Sequence, residues 1–238
     1  APGFVKAGEP DAAGFDALVP LALRALDRVV ADAPDVASGP HDDMASRPED
    51  VRIDLVPNPS PEFARYLYAV VGGPWTWTDR LGWTREQWLA DLGVTGTETY
   101  VAYVGGEPAG YVQIQPTPVG AAEARGRASV EIRYFGLVET AIGRGLGRTL
   151  LAHGIDAAWT LAERHEAPAT QRVWVHTCDL DGPAALPNYE KRGFTLTDES
   201  VDEMDYPDEP LGAWRSSGGT APCRTGARSP SSTGRCAS

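Results

Sequence analysis

The sequence predicts a mixed α/β (α+β) fold in which helices flank a largely antiparallel sheet. Two β-rich runs flank a Gly-Gly turn in the middle of the chain, and further on a strand leads through a glycine-rich turn into a helix. A chain of 238 residues, 42% hydrophobic and 23% charged, is long enough for one core and short for two full-sized domains. We therefore predict one globular domain over residues 51–200.

Flanking segments are predicted on both sides of that domain. Apolar residues recur at three- and four-residue steps through 16–32 and predict an amphipathic helix with Pro20 in its first turn, on Val19, Leu23, Leu26, Val29 and Val30. Residues 33–50 are rich in proline and acids, so 1–50 is predicted to be a helix and a linker. At the other end, 201–238 is predicted to be an acidic segment and a disordered tail that buries too little apolar surface to fold.

The first half of the domain starts with Val51–Val56, whose alternation predicts a strand. The pattern over residues 62–92 predicts short helices with a break at Gly72-Gly73-Pro74. Four of the seven tryptophans, Trp75, Trp77, Trp83 and Trp88, fall in this stretch. They fill the core or form a wall of a ligand pocket, because aromatic rings supply rigid contact area and can face a cation.

The second half is predicted to contain most of the sheet. A hairpin turns at Gly105-Gly106, and residues 118–128 form a loop. The remaining predicted elements are strand Val130–Phe135, a helix from Gly145, strand Arg172–Cys178, a short helix within 183–192 and strand Phe194–Thr197. Beyond Thr197 the sequence predicts no further folded element.

Charge and composition narrow the choice of partners. The net charge of -12 argues against nucleic acid and favours amines or other cations. No run approaches the roughly 20 apolar residues of a membrane span, and the first residues do not resemble a signal peptide, so we expect a cytoplasmic protein without a membrane partner. The spacing of Cys178, Cys223 and Cys236 predicts neither disulfides nor a metal site.

The strongest motif runs from Glu131 to Gly147 and joins a strand to a helix through a turn packed with glycine. Such a turn points several backbone N–H groups at one spot at the positive end of a helix dipole, where a pyrophosphate would fit. The spacing does not meet G-x-G-x-x-G, and no Gly-Lys-Ser/Thr follows, so the dinucleotide and P-loop patterns are excluded. A purely structural glycine turn stays open as the alternative.

This junction resembles the Q/R-x-x-G-x-G/A motif of the GNAT superfamily of N-acetyltransferases. Ile142–Gly147 matches it at every position except the first, where Ile142 replaces Gln or Arg. Downstream, Tyr189 and Gly193-Phe194 look like the family's later Y-x-x-x-G-F motif, with Asp181 or Asp179 near the place where the family often has Asn. The resemblance covers about residues 51–200.

The resemblance implies acetyl-CoA as co-substrate and a primary amine of a small molecule or protein as acceptor. By position it assigns cofactor contacts to Phe135, Gly136, Leu137, Val138, Gly143, Arg144, Gly145, Leu146, Gly147 and Arg148. The amide of Phe135 or Leu137 is the expected donor to the oxyanion. Segments 62–92 and 115–128 are expected to shape the acceptor pocket. A homodimer is left open.

Three side chains are candidates for catalysis. Tyr189 matches the family's general acid toward the CoA sulfur, and a packed structural tyrosine is its alternative. Glu131 is the first candidate for the base and His176 the second, with an ion-paired Glu131, a half-buried structural His176 and a water chain as alternatives. Strand alternation predicts Glu131, Arg133 and Phe135 on one face of their strand.

Two other functions also stay open. Ile142 in the Gln or Arg position favours a non-catalytic module that binds acyl-CoA as a sensor or serves protein interaction. Transfer of an acyl group longer than acetyl is the other alternative. The sequence does not identify the acceptor.

Overall fold

The fold is described from a computed structural model, over residues 18–29, 51–118, 120–205 and 210–212. Seven strands form one sheet: β1 (Leu18–Val29), β2 (Val51–Val56), β3 (Glu98–Val104), β4 (Glu107–Pro116), β5 (Ser129–Leu137), β6 (Arg172–Cys178) and β7 (Thr195–Asp205). The helices are α1 (Pro61–Gly72), α2 (Arg85–Leu92), α3 (Leu146–Trp159) and α4 (Ala185–Glu190). The predicted fold class is confirmed: a mixed, mostly antiparallel sheet is flanked by helices.

Local signals placed most elements of the domain correctly. Strands β2 and β6 have the predicted bounds, and the hairpin β3–β4 turns at the predicted Gly-Gly pair. Helix α1 begins after Ser60, whose side chain accepts a hydrogen bond from the Phe63 amide, and α2 begins after Thr84 with a capping box. These caps explain why the tryptophan-rich region forms two helices.

The predicted N-terminal helix is wrong. Residues Leu18–Val29 form strand β1, which lies antiparallel between β6 and β7 although it is first in the chain. The apolar spacing is compatible with a helix. However, a segment between β6 and β7 must be extended, because only extended backbone can form hydrogen bonds to both neighbouring strands. Pro20 lies beyond the end of the pairing with β6, where a missing N–H is tolerated. The predicted linker at 33–50 lies outside the described residues.

The prediction that folding stops after Thr197 is also wrong as far as Asp205. Strand β7 continues through the acidic residues and pairs with β1 along its length. Residues 195–202 are exposed on this outer strand, so backbone pairing holds them in the sheet while their charges remain in water. Residues 206–209 and 213–238 lie outside the described part.

The sheet has the strand order β2-β3-β4-β5-β6-β1-β7, and a core lies on each face. Helix α3 covers the first core, in which Leu26, Val112 and Leu150 are fully buried. Helices α1 and α2 cover the second, around Tyr68 and Trp88. The only parallel neighbours in the described sheet are β5 and β6, at its centre.

Candidate active site

A cleft opens where β5 and β6 part. Residues Ser129–Ile132 of β5 pair with Arg172–Val175 of β6, and beyond these residues the two strands diverge. A cavity of about 230 Å³ lies between the diverging ends. Its walls include the predicted cofactor residues Phe135, Gly136, Leu137 and Gly147. The divergence leaves backbone groups of β5 without a neighbouring strand.

The register of β4 against β5 identifies which of those groups face the cleft. The Val138 amide donates to the Ala109 carbonyl at 2.9 Å, so Val138 is bonded toward β4. In an antiparallel pair the bonding direction alternates, and Gly136 therefore also bonds toward β4. The amides of Phe135 and Leu137 consequently point the other way, toward the gap left by β6. This orientation is the one that an oxyanion donor at either residue requires.

The glycine-rich turn lies directly before α3. Gly143 and Gly145 have φ values of +80° and +78°, which residues with a side chain rarely adopt. Gly145 is the residue before the first turn of the helix. A Cβ built on either glycine meets no atom of the described residues within 4 Å. The turn is thus open on its outer side, next to the N–H groups that begin α3.

Basic side chains surround this turn. Arg144 and Arg148 are exposed, and Ile142, which departs from the family motif, is 47% exposed. Arg192 was not singled out from the sequence, yet burial and the nearby charge of Arg148 lower its pKa. Two guanidinium groups that repel each other beside the turn form a favourable place for an anion.

The predicted alternation along β5 fails at Arg133. The register passes from Gln113–Tyr134 to Ile114–Ile132, so Arg133 is the extra residue of a β-bulge. Val130 and Ile132 face α3 before the bulge and Phe135 faces it after, whereas Glu131 lies on the opposite face. Glu131 and Phe135 therefore do not share a face. A single inserted residue shifts a two-residue period, and no local signal marked it.

Glu131 and His176 form a hydrogen-bonded pair at the point where the strands part. The Nδ1 atom of His176 lies 2.9 Å from Oε1 of Glu131, and Arg133 donates to Oε2 at 3.2 Å. Arg133 is held in turn by Asp91, at 2.7 Å. The Glu131 side chain is 9% exposed and the His176 side chain 38% exposed. Of the two candidate bases, His176 is the more accessible.

The two charges shift each other's pKa. Burial alone would lower the pKa of His176, but the hydrogen bond and charge of Glu131, with the charge of Asp181, raise it above 6.5. Burial alone would raise the pKa of Glu131, but His176 and then Arg133 bring it below 4.5. Near neutral pH the pair therefore favours a carboxylate beside an imidazole that takes up a proton readily.

Tyr189 lies on the wall of the cleft and is 5% exposed. Its ring packs edge-on against Phe135 and Phe194. Burial, followed by the charge of Asp181, raises the pKa of Tyr189 well above 10, so its hydroxyl keeps its proton at any physiological pH.

Asp181 and Asp179, the two candidates for the family's asparagine position, serve different contacts. Asp181 accepts hydrogen bonds from the Thr177 hydroxyl at 2.5 Å and from the Cys178 amide at 3.3 Å, so it closes the end of β6 on the cleft wall. Asp179 pairs with Arg24 of β1 instead.

A second cavity, of about 420 Å³, lies on the Glu131 face of the sheet. It shares Leu23, Arg80, Arg133 and His176 with the first. Both roles predicted for the four tryptophans, core filling and a pocket wall, are found. Trp88 is buried in the core, Trp75 and Trp77 line the cleft, and Trp83 lines the second cavity. The roles of Arg80 and Asp91 were missed because each depends on contacts across distant segments, whereas the pairing of Glu131 with Arg133 is one of the alternatives that the sequence left open.

Two further observations concern only the described ranges. None of the helices there combines the length and apolar character that crossing a bilayer requires. The same residues contain no group of three or more His, Cys, Asp or Glu side chains arranged to hold a metal ion.

Comparison with known structures agrees with the fold described above. A GCN5-related N-acetyltransferase from Sphaerobacter thermophilus superposes with a TM-score of 0.51 at 16% identity, covering 84% of this chain and 56% of its own. A tandem GNAT protein from the clavulanic acid biosynthesis pathway gives a TM-score of 0.52 at 15% identity, covering 80% and 55%. The chain thus spans just over half the length of these structures, and at such identity they establish the fold alone. A comparison with curated proteins found no match.

Family membership follows from the sequence match. The model of the acetyltransferase (GNAT) family matches residues 62–194, more than half of the chain. The matched range contains the cleft, the glycine turn, the Glu131–His176 pair and Tyr189. This chain belongs to the GNAT family of acetyltransferases.

Proposed function

We propose that the chain is an N-acetyltransferase that moves the acetyl group of acetyl-CoA to a primary amine by direct attack. One observation carries the proposal: the cleft between β5 and β6 brings together the β5 amides that face it, the two ends of the glycine turn at Ile142 and Gly147, and His176, which pairs with Glu131. Each supplies what the reaction needs, namely oxyanion stabilisation, an anion cradle and a proton acceptor.

The residues present fit the CoA moiety. The diphosphate would lie against the N–H groups of residues 143–148, where the positive-φ glycines leave room for its oxygens. Arg144, Arg148 and Arg192 supply positive charge around the turn. Because Ile142 provides no polar side chain, the grip on the diphosphate falls to these guanidinium groups and the backbone. The pantetheine arm would run along Phe135–Val138.

His176 is the better candidate for the base, and Glu131 is a positioning residue. When His176 is neutral, its Nδ1–H donates to the Glu131 carboxylate, so the lone pair that accepts a proton is on Nε2. Both oxygens of Glu131 are engaged, by His176 and Arg133. The order of the two bases expected from sequence is thus reversed in the proposal.

The proposed reaction balances in two bond changes. The neutral amine nitrogen forms a bond to the acetyl carbon, and an amide of Phe135 or Leu137 stabilises the resulting oxyanion. The bond from carbon to sulfur then breaks, the ammonium proton goes to His176, and the leaving thiolate takes the Tyr189 proton. His176 then loses its extra proton to solvent and Tyr189 regains one from solvent, which restores both residues for the next turnover.

The test is an acceptor screen with acetyl-CoA that reads free thiol, followed by mass spectrometry of the product. Wild type is compared with His176→Gln and with His165→Gln as matched control, because His165 also pairs with a buried glutamate, Glu98, but lies away from both cavities. The expected result is amine-dependent CoA release that His176→Gln slows about 100-fold and His165→Gln retains. Release that both variants retain would rule out the assigned base.

A non-catalytic acyl-CoA sensor is the second candidate, favoured by the exposed Ile142 in place of Gln or Arg. Thermal stabilisation by CoA, without thiol release from any amine in the panel, would support the sensor. Comparing acetyl-CoA with longer acyl donors in the same assay tests the acyl chain preference. A cytoplasmic location and a homodimer remain proposals, tested by fractionation and by light scattering.

A further inference from the structure

The second cavity has aromatic, proline and charged side chains in its wall. Its walls include Trp83, Trp174, Pro116 and Pro118. The Trp174 ring is fixed by a hydrogen bond from its Nε1 to the Thr117 hydroxyl, at 2.8 Å, and the guanidinium of Arg80 lies 4.3 Å from the centre of the Trp83 ring. The guanidinium of Arg172 lies 5.2 Å from the centre of the Trp174 ring, so both rings are held in place and give this wall rigid apolar contact area.

The positive charges in the wall are already neutralised. Every arginine that lines the cavity has a carboxylate within 3.3 Å: Arg24 holds Asp179 and Glu199, Arg80 holds Asp79, and Arg133 holds Asp91 and Glu131. An anionic ligand would have to displace one of these partners. The arginines therefore do not form a site for a carboxylate or a phosphate.

The negative charges are not all neutralised. The side chain of Glu123 makes no hydrogen bond or ion pair within the described part of the chain, and it lines the cavity. Asp198, 71% exposed, has Arg125 at 3.8 Å, the long end of an ion pair. The surplus charge at this wall is negative, which attracts a cation.

The position of the cavity connects this charge to the proposed chemistry. His176, Arg133 and Arg80 line both cavities, so the proposed base lies on the boundary between the thioester cleft and the second cavity. A ligand that fills the second cavity would therefore contact His176. The wall that carries Glu123 and Asp198 is supplied by other elements, the 115–128 loop and β7.

We propose that the second cavity binds the acceptor, and that the acceptor is a diamine with a flat apolar body. One amine reacts at His176 while the second, as an ammonium, is held by Glu123 and Asp198. This inference rests on the proposed function, because it names the substrate class of the same site.

The experiment uses three benzylamines that differ only in the para substituent. The para substituents are aminomethyl, methyl and carboxylate, and calorimetry measures binding of each to the full chain saturated with CoA. We expect the diamine to bind about fivefold more tightly than the methyl compound, and the carboxylate most weakly. The preference should shrink when salt rises to about 0.5 M, because exposed charges are screened.

Variants assign the preference to the wall. Glu123→Gln should remove most of the advantage of the diamine and leave the methyl compound unchanged. Glu107→Gln, at an exposed glutamate that begins β4 and lies outside the cavity, is the control and should change neither.

The outcomes separate the inference from the proposed function. The inference is overturned if the three compounds bind equally, if the carboxylate binds best, if Glu123→Gln weakens all three alike, or if none binds below about 10 mM. The expected order of binding without any acetyl transfer would support the charge preference of the cavity and contradict the N-acetyltransferase assignment.

Discussion

Nδ1 of His176 lies 2.9 Å from Oε1 of Glu131, at the last point where β5 and β6 still run side by side. Beyond this point the strands separate and the cleft begins. The pair thus stands between the two cavities, with the carboxylate buried behind the imidazole. This arrangement makes the proton-accepting group and the group that orients it separable by experiment.

The pH dependence of turnover tests the pair first. The imidazole of His176 must be neutral to accept a proton from the amine. We therefore expect kcat to rise with pH through the pKa of His176, which lies above 6.5 because of Glu131. Glu131→Gln removes the anion that raises this pKa, so the rising limb should move to lower pH while the plateau falls about tenfold through lost orientation. Glu98→Gln, at another buried glutamate that pairs with Arg and His, should leave the limb in place. An unmoved limb in Glu131→Gln would contradict the coupling.

Loss of the imidazole should be more severe than loss of its partner. His176→Gln is expected to lower kcat about 100-fold, the typical contribution of a general base, with little change in KM for acetyl-CoA. Steady-state kinetics at a pH above the rising limb measures this. His165→Gln should remain within about twofold of wild type, since His165 lines neither cavity. Equal losses in both variants would indicate a general effect on folding instead.

Tyr189→Phe isolates the hydroxyl at the cleft wall. Its raised pKa keeps the proton on the oxygen across the assay range, so the hydroxyl can donate but does not titrate. We expect kcat to fall about tenfold or more, and a donor with a better thiolate leaving group should recover part of the loss. Tyr66→Phe, at an exposed position, is the control. Undiminished turnover with every donor would make Tyr189 a packing residue.

The glycine turn makes a prediction that separates ligand binding from stability. Gly143→Ala and Gly145→Ala should each cost about 1 kcal/mol of unfolding free energy because their φ values disfavour a Cβ. Each should also weaken CoA binding about tenfold, which corresponds to the loss of roughly one charge-assisted hydrogen bond to the diphosphate. Gly126→Ala is the matched control, with φ of +70° and open space around its Cβ. It should lose similar stability and no CoA affinity; a comparable loss of affinity there would refute the cradle.

The position of β1 is tested through Asp27. Its carboxylate pairs with Arg172 of β6, whose side chain is 2% exposed, so Asp27→Asn leaves a buried guanidinium without its counter-charge. We expect a loss of about 3 kcal/mol in chemical denaturation. Asp54→Asn, which breaks the exposed pair with Arg52, should change stability by less than about 0.5 kcal/mol. If both substitutions had equally small effects, β1 would not lie beside β6 in solution.

The elements that could be predicted from the amino-acid sequence are local. The Gly-Gly hairpin, the capped helices, the strands around the core and the glycine turn before α3 each depend on neighbouring residues, and all were predictable from them. The order of the two motifs, from Ile142–Gly147 to Tyr189–Phe194, was sufficient for the family.

The place of β1, the shape of the cleft and the pairing of Glu131 with His176 depend on contacts between distant segments. Apolar spacing over 18–29 suited a helix, but a place between β6 and β7 made it a strand, because pairing on two sides outweighs intrinsic preference. The bulge at Arg133 moved Glu131 and Phe135 to opposite faces, and the parting of β5 from β6 created the cleft. The contact between Glu131 and His176 joins residues 45 positions apart, so only the folded sheet brings them together.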